Sequence, residues 1–177
     1  EQVDDHHTVE YYRRGAAMYR SNTTYLLAKS SHDIDIINWM MGGVRAQSVA
    51  SFGGADYFKP RPDLPESCSD ACPEATTCPF FGMDEGADGV ARGKACAWNS
   101  GGEQVDHQTI IIQYENGTTV DFTLNCFGDI RRPLQITGSH GTLYATPEDV
   151  KLVLSHPSRV EEFGPDQLGA QPGAHGG

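Results

Sequence analysis

The chain has 177 residues, 38% of them hydrophobic, enough to bury one core of ordinary domain size, so a single domain over 1–177 is expected. Its formal net charge is −11 and its 13 Lys and Arg residues form no run, which excludes the basic surface that nucleic acid or anionic lipid needs. No apolar stretch approaches the roughly 20 residues that span a bilayer. The start, Glu1-Gln2-Val3-Asp4-Asp5-His6-His7, has neither the basic opening nor the apolar core of a leader, so a cytoplasmic location is expected.

Residues 1–25 are polar and mixed, with Tyr11, Tyr12, Met18 and Tyr19 at no regular period, and both a partly ordered lead-in and an edge strand fit them. The most informative stretch follows, from Ala28 to Trp39. Ile34, Ile37 and Met41 recur at helical period, Gly42-Gly43 supply a stop, and Ser30 with Asp33 has capping-box spacing, which together predict a helix opening at Ser30 or Ser31. His32 then falls in the first turn, where unsatisfied N–H groups carry partial positive charge and favour a neutral imidazole able to accept a proton. Asp35, three residues on, shares its face. On spacing alone, a satisfied structural histidine beside two good first-turn anions is the better fit, since charge at helix starts is common.

Gln47 to Phe52 alternates as a strand, which Asp56 to Phe58 extends past the glycines. Residues 59–104 form a long excursion rich in Pro, Gly, Asp and Cys, and a loop of that length inside a compact domain needs a staple or a role as a lid. Thr109–Tyr114 and Thr118–Phe127 flank Glu115-Asn116-Gly117, the strongest short hairpin signal available. Leu134–Thr137, Thr142–Ala145 and Val150–Leu154 add three short strands, and the tail 155–177 reads as loose. The fold class is therefore α+β: an open, mostly antiparallel sheet with one strong helix and a long Cys-rich insertion.

Cys68, Cys72, Cys78 and Cys96 all lie in the excursion, while Cys126 sits apart in a strand as a small hydrophobe. Four clustered thiols can make a tetrahedral zinc site that offsets the entropy of ordering the loop. Disulfides in an oxidising compartment, or reduced thiols with no joint role, fit the spacing as well, and no C-x2-C knuckle is present. His107, at a strand start, and His140, in a turn, read as structural. Asn22-Thr23-Thr24 and Asn116-Gly117-Thr118 match the glycosylation sequon by pattern only.

Several segments in order carry a resemblance. Tyr12-Arg13-Arg14-Gly15, Leu26 to Trp39, Ser51 to Pro60 with the cysteines that follow, Val105-Asp106-His107-Gln108, the Glu115-Asn116-Gly117 hairpin and Arg132 to Leu143 are together similar to the substrate domain of the Gfo/Idh/MocA family of nicotinamide-dependent sugar oxidoreductases, in its cysteine-containing branch. The resemblance implies that His32 is a general base or acid for a sugar hydroxyl, that Asp35 orients it or holds a hydroxyl, and that Lys29 stabilises charge on the substrate oxygen. His175 corresponds to a position near the family's active-site rim. One departure stands out: where many members place an aspartate four residues before the histidine, this chain has Ala28.

The resemblance further implies NAD or NADP as the cofactor of a full-length parent, a sugar-like small molecule as substrate, and a homo-oligomer formed through the sheet face. No G-x-G-x-x-G follows a strand in the 177 residues, so the nucleotide-binding domain is expected to be missing and the chain inactive alone. Two alternatives remain open: a non-catalytic, cysteine-stapled binding or assembly module, and a redox-assisted glycosidase of the same family.

Overall fold

The computed structural model describes residues 24, 26–27, 30–81, 96–99, 105–125, 133–146 and 149–168. Among them are a helix, α1 (Ser31–Met40), seven strands, β1 (Ala46–Gly54), β2 (His107–Tyr114), β3 (Thr119–Asn125), β4 (Leu134–Gly138), β5 (Gly141–Ala145), β6 (Val150–Ser155) and β7 (Ser158–Phe163), and a single turn of helix, α2 (Pro165–Leu168). The chain divides into two compact units, 1–129 and 130–177. The class is α+β, with every strand pairing antiparallel.

In the first unit the sheet runs β1-β2-β3. Its centre is the predicted hairpin, in which Gly117 at φ +87° closes the turn, Thr118 N–H donates to Asn116 Oδ1 at 3.0 Å and Tyr114 N–H to Thr118 O at 2.9 Å. The register sets Ile110 opposite Phe122 and Ile112 opposite Val120, so the β2 and β3 residues of even number share one face. That face is the core: Ile110, Ile112, Tyr114, Phe122 and Leu124 are buried together with Phe58, Phe80 and Ala97 from the excursion. Helix α1 seats on the same cluster through Ile34 and Ile37, with Met41 just beyond it, as their period predicts. Asn38 adds a polar tie, accepting from the Tyr114 hydroxyl at 2.8 Å. The predicted stop holds, with Gly42 and Gly43 at φ +63° and +89°.

Four expectations are corrected. The helix start has no capping box: the Ser30 side chain makes no cap bond, and Ser30 N–H donates to Leu26 O at 2.9 Å. Leu27 N–H goes to Thr24 Oγ1 at 3.2 Å, so the chain is already turning before Ser30. Residues 56–58 do not extend β1, because their N–H groups turn to the Asp106 carboxylate instead of a neighbouring strand. Finally, the described strands form two sheets rather than one, and the tail expected to be loose from residue 155 contains β7, which pairs with β6 from Val150↔Phe163 to Ser155↔Ser158.

In the second unit the order is β4-β5-β6-β7. Leu134, Ala145, Val150 and Phe163 lie in one register row, and Ile136, Leu143 and Leu152 lie with Glu161 in the next row of the same face, so that face is mostly apolar. The other face carries Gln135, Tyr144, Lys151 and Glu162, with Lys151 and Glu162 paired at 3.1 Å.

Candidate functional site

Helix α1 presents His32 and Asp35 to solvent, while its opposite face is fixed to the core by Ile34, Ile37 and the Asn38–Tyr114 hydrogen bond. The helix is thus an anchored platform with an exposed imidazole and carboxylate one turn apart. Ser30 is wholly buried, and its Oγ has no hydrogen-bond partner. Trp39, at the far end of the helix, is 80% exposed. Lys29 and His175, the other two residues expected at the site, lie outside the described residues, as does Cys126.

The four excursion cysteines are all described. Cys96 is buried, its N–H donating to Glu66 O at 2.8 Å, and Cys68, Cys72 and Cys78 are half-buried. Among the described residues no group of three or more His, Cys, Asp and Glu side chains is placed to hold a metal, so the zinc expectation finds no gathered ligand set there. The described part of the loop is organised differently. Asn99 reaches back 38 residues, accepting from Arg61 N–H at 2.8 Å and donating to Arg61 O at 2.8 Å and Leu64 O at 2.9 Å. Arg61 holds Glu74 through two parallel bonds of 2.9 and 2.6 Å and Asp63 through a third of 2.6 Å. The hydrogen bond from Arg61 holds the Asp63 carboxyl below its ordinary range. Tyr57, Phe58, Phe80 and Trp98 stack edge-on and tilted with centroids 4.9 to 5.8 Å apart, so the loop brings its own apolar filling.

A constellation that the sequence reading passed over sits where the excursion returns to the sheet. Asp106 is wholly buried. Its Oδ2 accepts Tyr57 N–H at 2.7 Å and Phe58 N–H at 3.0 Å, and its Oδ1 lies 2.8 Å from His107 Nδ1. Burial alone raises its pKa, but the hydrogen bonds from His107 and from the Phe58, Tyr57 and Asp56 amides outweigh that and hold it below the ordinary carboxylate value. An ionised carboxylate only accepts, so His107 Nδ1 carries the hydrogen of that bond, and the other ring nitrogen is Nε2. That atom lies 3.8 Å from Asp56 Oδ2, while Lys59 takes the other oxygen of Asp56 at 3.5 Å. The only sequence signal was the Asp106-His107 pair before a β run; the amides it captures lie 48 and 49 residues away.

No protein-family model matches the chain, and no curated protein does. Among solved structures, the crystal structure of an oxidoreductase domain protein from Kribbella flavida matches with a TM-score of 0.52 at 15% identity, over 98% of this chain and 40% of that one. At that identity the likeness is one of fold, and the chain spans well under half the length of its structural neighbour. None of the described helices is long and apolar enough to cross a membrane. The chain thus has the fold of part of an oxidoreductase domain protein.

Proposed function

We propose that this chain is the substrate-binding and catalytic half of a nicotinamide-dependent sugar or polyol oxidoreductase. The observation that carries the reading is the fold likeness, which takes in nearly all of this chain but 40% of an oxidoreductase domain protein. The His32-x-x-Asp35 spacing on an anchored, solvent-facing helix supports it.

In this reading His32 accepts the proton of the substrate hydroxyl as the carbon beneath it loses a hydride. Asp35 holds the imidazole or a neighbouring hydroxyl, and Lys29 steadies the developing charge on the substrate oxygen, in place of the aspartate that Ala28 replaces. NAD or NADP, bound by a separate domain of the parent, supplies the hydride acceptor. His175 is assigned to the rim of the sugar site. Self-association through a sheet face would rest on the outward side of β1–β3, where Phe52 and Ile111 are exposed.

The test is made on the complete parent and on this chain side by side. The parent, given a panel of aldoses and polyols with NAD or NADP, is expected to reduce the nucleotide, and the chain alone to neither turn over nor bind NADH or NADPH saturably. Saturable binding by the chain alone in the low micromolar range, or a parent inert with every substrate and both nucleotides, overturns the reading.

A further inference from the structure

Strand β1 differs from every other edge among the described strands. It is hydrogen-bonded to β2 on one side, and its other side is an edge of the three-stranded sheet. The remaining edges carry the devices that keep strands from pairing with strangers: Asp121 in β3, a length of five residues in β4, and Arg159, Glu161 and Glu162 in β7. β1 runs for nine residues with neither a charge nor a proline, and eight of the nine are exposed. At the ordinary rise per residue it offers an edge about 30 Å long.

The exposed apolar side chains of β1 point to both faces of the sheet. Val49 lies opposite Ile112 of the core row and is 63% exposed, whereas Phe52 lies opposite Thr109 on the other face and is 74% exposed. A layer laid on either face covers one of them and leaves the other in water. A strand added along the edge flanks both and satisfies the backbone groups that β1 turns away from β2. The ends of β1 select the neighbour and its direction. Arg45 precedes the strand and Asp56 follows it, both exposed. A parallel copy would set Arg45 beside Arg45. An antiparallel copy turned about Ala50 sets Ser48 opposite Phe52 and Val49 opposite Ser51, so that each large side chain meets a small one, and it brings Arg45 of each copy to the end where the other carries Asp56.

We infer that β1 joins two copies of this chain edge to edge, antiparallel about a two-fold axis at Ala50, so that their three-stranded sheets continue into one sheet. The contact is isologous and closes at the dimer. One strand edge is smaller than the roughly 800 Å² per partner of a standard interface, so the dimer dissociates reversibly. The inference uses none of the residues assigned to the dehydrogenase reading and stands independently of it. It also leaves the outward face of the joined sheet open to the face contact proposed above.

The 177-residue chain, kept reduced, is followed by sedimentation velocity from about 1 to 500 μM, the range in which a small interface assembles. A reversible monomer to dimer step is expected, with hydrogen exchange at alternate β1 amides slowing as concentration rises. Val49→Lys puts an inward-pointing charge on an exposed edge position and should weaken the dimer at least about tenfold while the circular dichroism stays that of wild type. Arg45→Glu should weaken it as well, and Arg45→Glu combined with Asp56→Lys should restore it. Ile111→Lys, on the outward face of β2, should leave the dimer constant within about twofold. A chain that stays monomeric at the highest concentration, β1 amides whose exchange ignores concentration, or a dimer that Ile111→Lys abolishes and Val49→Lys tolerates overturns the inference. Turnover by the parent, which tests the dehydrogenase reading, is a separate measurement that none of these outcomes decides.

Discussion

The two sheets share one pattern and differ in what it accomplishes. In β2 and β3 the alternation sends Ile110, Ile112, Tyr114, Phe122 and Leu124 into a core where Leu124 has no exposed surface. In β4 to β7 the same alternation lines up Leu134, Ile136, Leu143, Val150, Leu152 and Phe163, yet none of the described residues of that unit is fully buried. The first sheet has a cover of its own, made of α1 and the aromatic part of the excursion. Alternation creates an apolar face, but burial comes from the layer laid against it.

The largest effect expected from this difference is in side-chain truncation. Leu124→Ala removes a side chain from a filled core and should cost about 2–5 kcal/mol, whereas Leu152→Ala, at a half-buried position in the second unit, should cost less than half as much. Denaturant unfolding of both variants checks this, and equal losses would break the contrast between the sheets.

A smaller effect should come from loosening the cover itself. Asp106 fastens residues 56–58, next to the aromatic cluster, to the start of β2, and charged hydrogen bonds of this kind contribute about 1.5–3 kcal/mol each. Asp106→Asn should speed hydrogen exchange at the Ile110 and Ile112 amides while leaving β5 and β6 unaffected. The folded chain keeps Asp106 ionised to lower pH than the unfolded chain does. Its contribution is therefore complete above the ordinary carboxylate pKa, near pH 4, and is lost as pH falls through the lower folded value. Acid should thus loosen wild type toward the behaviour of Asp106→Asn, and a difference between the two that failed to shrink as pH fell would contradict the assignment.

Much of the first unit was legible because its signals are local. Asn116-Gly117 demands a tight hairpin, Ile34, Ile37 and Met41 mark a helical face, and Gly42-Gly43 end it. The misreadings arose where a distant group captured the backbone. Asp56 to Phe58 read as a strand because nothing nearby shows that Asp106 takes their amides. The Ser30-Asp33 spacing promised a cap, but the Ser30 N–H was already bonded to Leu26 O, which took from the capping box the donor that the Asp33 side chain would satisfy. Strand β7 was missed because His156-Pro157 reads as a break, and only Val160 and Phe163 in it are apolar. At the candidate site, His32 and Asp35 are proposed from spacing and resemblance, whereas the Asp56, Asp106 and His107 constellation exists only through tertiary contact.

The most direct test of the account is the turnover of the complete parent with His32→Ala. If His32 takes the substrate proton, kcat should fall by about 10² to 10⁴, the range for loss of a general base, while nucleotide affinity stays within about twofold. A variant that keeps most of its kcat would assign the proton transfer elsewhere and return His32 to a structural role.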